Sequence, residues 1–520
     1  MATRETDVLV IGSGLAGCAA ALAAARGGAR VTVITRGESC EDSNTVWAQG
    51  GIIFRGHGDS PERLAADIHE AGAGLCEPSA VDLLSREGPR LVQQVLIDDA
   101  GVPFDRARDG SEGLDLTAEA AHSVPRIIHH ADSTGRSIEQ SMLARLRGEA
   151  NVTFRTGHTA IDLLTLSHHS KDPMDVYAAP TCVGAYVFDQ AKGQVETWMA
   201  KETILAAGGL GRIFLHTTNP PGACGDGVAM AYRAGARCLN MQFVQFHPTT
   251  LFVGHERFLL SESLRGEGAR LVDEGGREFM TGYHPDGSLA PRDIVARGIH
   301  QMMHETGAAC AYLDISHKPA GWVRSRFPQI DARCREAGLD LATQPIPVVP
   351  AAHYACGGVA VDLWGRTSLS RLWAGGEVSC TGLHGANRLA STSLLECLVW
   401  GTRAGEQAAA NIRAGTRYYQ PDIAPWHYET EPIDPALVAQ DWLTIRQTMW
   451  NYVGLVRSRR RLDRAHQILR ELHIEIGRFY ARATLTDDLI SLRNGIQTAL
   501  AVLLAAMEAR ESRGCHYRVD

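Results

Sequence analysis

The feature that most constrains this chain is a glycine pattern near its start. Gly12, Gly14 and Gly17 form GxGxxG directly after the apolar run DVLVIG (7–12). That run reads as a buried parallel strand, the Ala-rich stretch up to Gly28 as a helix, and VTVIT (31–35) as a second buried strand. Strand, glycine turn, helix and strand make a βαβ unit shaped for a dinucleotide. Gly12 permits the tight turn, Gly14 lets the backbone approach a pyrophosphate, and Gly17 lets helix and strand pack closely. The helix N-terminus then faces the phosphates. The motif is weak by itself and gains its force from the βαβ context. Thr35 and Arg36 stand where the second strand usually ends in an acidic residue. The ribose must therefore be held differently, which argues against a simple NAD site.

A chain of 520 residues exceeds one core and predicts two or three domains. Two more apolar strands end in glycines, TILAAGG (203–209) and RLWAGGE (371–377), and an inserted domain explains their separation. The expected architecture is α/β: a Rossmann-type domain over 1–240 and 351–420, interrupted by an α+β capping domain over 241–350. A proline-punctuated connector, PDIAPWHYETEPIDP, then leads into a C-terminal helical bundle over 421–520. In its last helix Leu489, Leu492, Ile496, Leu500, Leu503 and Met507 fall on one stripe. Thr486 is placed to cap its start, Asp487 and Asp488 suit its first turn, and Gly514 is placed to end it.

Net charge is −8, which excludes a broad basic surface for nucleic acid. The opening MATRETDVLVIG lacks a secretory pattern, and the apolar stretch in LAGCAAALAAARGG is shorter than the ~20 residues that span a bilayer. The twelve cysteines are scattered with none at CxxC spacing. Buried reduced thiols in the cytoplasm are expected, with no zinc or iron–sulfur centre.

The stretch SNTVWAQGGI (43–52) is a glycine-ended loop and not a second dinucleotide unit, which favours FAD. In order along the chain stand GSGLAG, the TVWAQGG loop, GDGVAMAYRAGA, QFHPT, LRGEGARL, APRDIVAR, HYACGGV, GEVSCTGLHGANRLASTSLLE and ESRGCHY. Together they resemble the succinate dehydrogenase/fumarate reductase flavoprotein superfamily and, within it, the L-aspartate oxidase family. The resemblance implies FAD contacts from Gly12, Ser13, Gly14, Leu15, Ala16, Gly17 and Arg36. It extends them to Asn44, Thr45, Val46, Trp47, Ala48, Gln49, Gly50 and Gly51, then to Thr159, Ala160, Asp226, Glu377, Ser393 and Leu394. Glu377 at a strand end and Asp226 in a GDG turn are acceptors suited to ribose or ribityl hydroxyls. Asn44 stands where respiratory members carry a histidine joined covalently to the flavin. It cannot form that bond, so the FAD is expected to be non-covalent.

A buried dicarboxylate needs fixed cations and donors, because an unpaired buried carboxylate is costly. Arg388 in HGANRLAS could grip a carboxylate bidentately. Arg292 lies in APRDIVAR, Gln245 and His247 in QFHPT, His353 in AAHYACGG, and Ser261 with Glu262 in LLSESLRGEG. Out of context, each is more often a core histidine or a surface ion pair. The resemblance makes Arg292 the proton-transfer residue, and Arg388, His247, His353 and Ser261 the carboxylate grip. Glu119 separates the members: a carboxylate there would repel succinate or fumarate and attract the ammonium of aspartate. Its loop departs from the family, with Ala120 and Ala121 in place of glycines and Pro125 in place of a polar residue.

The implied activity is oxidation of L-aspartate to iminoaspartate, with oxygen or fumarate as acceptor, at the first step of NAD biosynthesis. It implies functional coupling to a quinolinate synthase. Two rival readings are a fumarate reductase or succinate dehydrogenase flavoprotein subunit, which Asn44 and Glu119 argue against, and a non-catalytic FAD-binding protein. Retention of both arginines and both histidines argues against the second.

Overall fold

The computed structural model describes residues 3–107, 113–119, 121–254, 257–429 and 431–520; Ala120 lies outside them. The βαβ unit forms as the glycine pattern predicts, with β1 at Thr3–Ile11, α1 at Leu15–Arg26 and β2 at Val31–Ile34. Gly12 takes φ +116°, and a Cβ there would lie 2.1 Å from the Ala206 carbonyl oxygen. A Cβ on Gly17 would lie 2.0 Å from the Gly12 carbonyl oxygen. Only glycine lets α1 start this close to the sheet.

Among the described residues the largest sheet has seven strands, in the order Val152–Arg155, β2, β1, Gln194–Leu205, Cys182–Asp189 and His158–Thr165. Leu372–Ala374 pairs with the Leu205 end of Gln194–Leu205. The strands around β1 are parallel, and those from Gln194–Leu205 to His158–Thr165 are antiparallel. Both glycine-ended segments therefore join β1 in one sheet, despite lying hundreds of residues away. α1 packs on the long helix Thr392–Arg413 through Gly401 and Gly405, whose added Cβ atoms would lie 2.5 and 2.2 Å from the backbone oxygens of Ala16 and Ala20.

The capping sheet is antiparallel, ordered Arg257–Leu259, Val244–Phe252, Ile346–Ala355, Ala311–Asp314 and Arg270–Val272. Its own core includes Leu260, Leu271, Val295, Ile299 and Phe327. The strand Ile346–Ala355 is unbroken and pairs with Val244–Phe252 up to Ala355, and its Ala352 carbonyl also accepts from the Thr217 hydroxyl and the Thr218 N–H.

Three helices, Pro435–Val453, Arg459–Tyr480 and Asp487–Glu508, form the C-terminal bundle. Asp434 caps the first, and Thr486 accepts from the Leu489 N–H to cap the last. The last helix is apolar and long enough to cross a membrane, but 67% of its apolar window is buried inside the protein. It ends at Glu508, so Gly514 does not terminate it. Gly514 instead takes φ +51° in a later turn, where a Cβ would lie 2.5 Å from the Ala386 carbonyl oxygen. Its glycine serves close approach to the HGANRLAS segment.

Two glycines in helices make a contrast. Gly405→Ala should destabilise the protein by about 1–3 kcal/mol, because the Cβ meets Ala20 backbone that cannot yield. Gly477→Ala, on an exposed helix face with nothing within 4 Å, should stabilise by roughly 0.5–1 kcal/mol. Urea unfolding of the two variants checks the signs, and equal effects would show that the α1 contact is not tight.

Candidate active site

One cavity of about 550 Å³ runs from the α1 N-terminus to the cap. Ser13, Gly14, Leu15 and Ala16 line it at the glycine turn, and Asn44 to Gly51 form one wall. Arg36, Thr159, Ala160, Asp226, Glu377, Ser393 and Leu394 line it as well. Gly17 does not, consistent with its packing role. The Leu15 N–H is taken by Thr45 Oγ1 at 3.0 Å, which ties the 43–51 loop to the helix start.

The fit to FAD can be judged from unsatisfied atoms. Asn44 Oδ1 and Gln49 Oε1 are buried without a partner among the described residues, and both residues line the cavity. Buried polar atoms need partners, and a polar dinucleotide supplies them. Asn44 Nδ2 donates to Glu377 Oε2 at 2.9 Å, and the Ala355 N–H donates to Glu377 Oε1 at 3.0 Å. Burial lifts the Glu377 pKa to about 7, against the pull of those two donors. Arg36 ion-pairs with Asp226 at 2.8 Å, and Asn494 donates to the other Asp226 oxygen at 2.8 Å.

At the other end of the cavity stand Glu119, His247, Ser261, Glu262, Arg292, His353 and Arg388. They arrive from six separate segments. His247 and His353 lie on the paired strands Val244–Phe252 and Ile346–Ala355. The register shifts there between Gln245 and Phe246 and again between His247 and Thr250. Such bulges re-aim side chains, and the two rings meet edge to face with centroids 5.4 Å apart. Arg292 opens the helix Arg292–Thr306, and Arg388 precedes the helix Thr392–Arg413.

The charges are organised without a ligand. Glu262 receives the Arg292 Nε–H in a short contact and Arg265 Nη2 at 2.9 Å. Burial opposes the Arg292 charge, but Glu262 and Glu119 outweigh it and hold its pKa above the ordinary guanidinium value. Arg388 Nη2 donates to Gln245 Oε1 at 3.0 Å, and its guanidinium lies 4.8 Å from the Tyr354 ring centroid. Its Nε is buried without a partner, a donor that an anionic ligand would satisfy. Glu119 Oε2 accepts from Ser391 Oγ at 2.8 Å. Ala121, two residues on, takes φ +66°, the left-handed region that favours glycine.

Both histidines are held neutral. Burial, reinforced by the nearby arginines, pushes the pKa of His247 and of His353 well below the ordinary value. Thr249 brackets His247 Nδ1, and Thr218 Oγ1 sits 2.9 Å from His353 Nδ1. The hydrogen bonds recorded for both rings run through Nδ1.

Gln245 is the exception within the expected set: it does not line the cavity. Its amide donates to Asn387 Oδ1 and the Arg388 carbonyl while its oxygen holds the Arg388 guanidinium. It positions Arg388 and has no free face for a substrate. Sequence reasoning missed Arg265, Tyr354, Glu396 and His384. The buried Tyr354 hydroxyl donates to Glu396 Oε2 at 2.7 Å, with His384 Nε2 3.0 Å from the same oxygen. Both acidic and aromatic members lie inside motifs already singled out, but nothing in their spacing signals the contact.

Comparison with known proteins places the chain in a family. A family model described as "FAD binding domain" matches residues 7–394, and one described as "Fumarate reductase flavoprotein C-term" matches 443–520. An L-aspartate oxidase of Yersinia pestis is 44% identical over 99% of this chain and 96% of its own length. One of Halobacterium salinarum is 45% identical over 99% and 96%. Among solved structures, E. coli quinol fumarate reductase FrdA superposes with a TM-score of 0.87 at 28% identity, covering 100% of this chain and 92% of that one. Mycobacterium smegmatis Sdh1 gives 0.84 at 29%, covering 100% and 90%.

The neutral histidines predict a pH dependence. In the unfolded chain each titrates near 6.5, while the folded chain keeps both unprotonated well below that. Below about pH 6.5 the unfolded state binds more protons, so stability is full above that pH and is lost as pH falls. Each ring contributes up to about 1.4 kcal/mol per pH unit. Urea unfolding of His247→Gln between about pH 6.5 and 5 should show a slope shallower by about that amount. A slope equal to the parent's would mean that His247 is already charged in the folded protein.

Proposed function

The chain belongs to the L-aspartate oxidases of the succinate dehydrogenase/fumarate reductase flavoproteins, and on that premise we propose how its residues carry the reaction. It is an FAD-dependent enzyme that oxidises L-aspartate to iminoaspartate, with oxygen or fumarate as electron acceptor, at the entry to NAD biosynthesis. The observation that supports this reading most directly is the continuity of the cavity. The walls expected for FAD and the charged cluster expected for the substrate line the same space.

FAD, when bound, would supply the redox chemistry by accepting the Cα hydrogen with its two electrons, while the substrate nitrogen releases one N–H proton to solvent as the C=N bond forms. Ser13 to Ala16 and Asn44 to Gly51 hold it, with Asn44 unable to form a covalent link. The substrate is gripped by Arg388 on one carboxylate and by Arg292 with the neutral His247 and His353 on the other, Ser261 adding a hydroxyl. Glu119 takes the ammonium. Arg292 and Arg388 line the cavity together with Glu119 and Glu262, and Glu119 is the group that the second charge of a dianion such as fumarate would meet unfavourably. Glu262 holds Arg292 in place and cationic, so that in the fumarate direction Arg292 is the fixed donor that passes a proton to the substrate carbon. These groups are rigid before substrate arrives, and that preorganisation is their contribution to the rate.

Iminoaspartate hydrolyses readily, and functional coupling to a quinolinate synthase that consumes it is part of this proposal. Cytoplasmic location is proposed from the twelve unpaired thiols. A fumarate reductase-like reading is weaker, because both Asn44 and Glu119 count against it.

Anaerobic addition of L-aspartate to the yellow purified protein should bleach the flavin absorbance within turnover time, and succinate should not. Bleaching by succinate alone would favour the rival.

Glu119→Gln should separate the substrates. Its near-identical shape preserves the Ser391 contact, while the lost charge-assisted bond to the ammonium lowers kcat/KM for aspartate by ~1.5–3 kcal/mol, roughly ten- to a hundredfold. Fumarate reduction should hold or rise, since a repelling charge is gone. Parallel losses for both substrates would reduce Glu119 to a structural role.

A further inference from the structure

The helix Asp487–Glu508 carries two buried faces of opposite character. One is the apolar stripe that packs in the C-terminal bundle. The other is polar: Asp487, Ser491, Asn494 and Thr498 recur at four, three and four residues, which places them on one helix face. Asn494 and Thr498 are fully buried and Ser491 is 4% exposed. A buried polar stripe must have partners, and here they are residues of the FAD-binding half.

Asp487 Oδ2 accepts from Arg36 Nη2 at 2.5 Å, and Ser491 Oγ is 2.6 Å from the same nitrogen. Asp487 Oδ1 accepts from Thr159 Oγ1 at 2.5 Å. Asn494 donates to Asp226 Oδ1, and Thr498 Oγ1 donates to the Gly225 carbonyl at 3.0 Å. Gly225 takes φ +82° just before helix Asp226–Arg233, and a Cβ there would lie 2.5 Å from Thr498. Arg36, Thr159 and Asp226 all line the cavity, while no residue of the C-terminal helix does. The side chains that face the cofactor are thus each fixed from behind by a helix about 450 positions from Arg36 in sequence. This also answers the missing acidic residue after β2: Arg36 stands there, and the carboxylates come to it from Asp226 and Asp487.

We propose that Asp487 is a positioning residue for FAD, and that the polar face of the C-terminal helix couples docking of the helical bundle to cofactor affinity. The inference rests on the reading that Arg36, Thr159 and Asp226 face FAD. Without Asp487, the Arg36 guanidinium and the Thr159 hydroxyl lose a shared acceptor and must be ordered when FAD binds. Affinity falls while the reacting end of the site is untouched.

The test is titration of the full-length apoprotein with FAD, followed by flavin fluorescence. Asp487→Asn should raise the FAD Kd about fivefold or more, the pair being partly solvent-screened. Asp487→Glu should recover much of the loss. The apoprotein should melt near the parent temperature, with a smaller rise on adding FAD. A lowered apoprotein melting temperature with unchanged Kd would overturn the proposal by making Asp487 only a bolt between domains. Arg36→Gln separates the two levels. If it raises Kd and Asp487→Asn does not, the cofactor reading stands and this inference falls; if neither moves Kd, both fall. Should Asp487→Asn fail to fold, Ser491→Ala, which removes one hydroxyl from Arg36, takes its place, and an unchanged Kd there overturns the proposal equally.

Discussion

The structure depends on holding buried cations in place before any anion arrives. Arg265, Arg292 and Arg388 are each nearly or wholly removed from solvent around one cavity. Like charges at this range in a poorly solvated interior would drive the cap off the FAD-binding half unless they were offset. Glu262 does most of that work by receiving both Arg265 and Arg292. Its own pKa stays below the ordinary value despite burial, because the two guanidiniums outweigh desolvation. Arg388 is held differently, by the Gln245 amide and the Tyr354 ring, neither of which neutralises it. Arg265 and Arg292 thus share a carboxylate, whereas Arg388 forms no ion pair with one among the described residues.

The parts of the fold legible in the sequence are those that glycine and apolar periodicity dictate locally. Gly12 and Gly17 have no alternative at 2.1 and 2.0 Å from backbone oxygen, so the motif and the geometry are the same statement. The same holds for Thr486, whose cap follows from its own hydroxyl and the next turn. Gly514 shows the limit: a glycine shortly after a helix reads as its stop, yet this one answers to Ala386, more than a hundred residues away. Gln245 shows it again. Adjacency to His247 placed it at the substrate, but the bulge beside it turns it toward Arg388. The partners of a side chain across a sheet or between domains leave no trace in local spacing, and these are the contacts that decide a role.

The C-terminal helix adds a different lesson. Its apolar stripe is conspicuous and correctly assigns it to a bundle, and that success conceals the second stripe. Asp487, Ser491, Asn494 and Thr498 are unremarkable singly, since each residue type is ordinary on a solvated helix face. Only burial makes them informative, because a buried polar face exists when another surface requires it. In this chain that surface is the back of the cavity wall formed by Arg36, Thr159 and Asp226. The bundle is therefore no appendage to the flavin half: a helix that completes its own hydrophobic core also fixes Arg36, Thr159 and Asp226.

Neutral histidines fit the same electrostatic logic. A protonated His247 or His353 would add charge beside Arg292 and Arg388, and burial with the arginines opposes it. Glu119 completes the balance from the opposite wall, tied to Ser391 and set beside Gly50 of the flavin loop. A site built only of cations would bind every dicarboxylate, and the more highly charged ones better. On the proposed assignment, one carboxyl group placed for the ammonium of an amino acid would convert a general anion trap into one that distinguishes aspartate from succinate. The distinction needs no change in the fold that the two kinds of enzyme share.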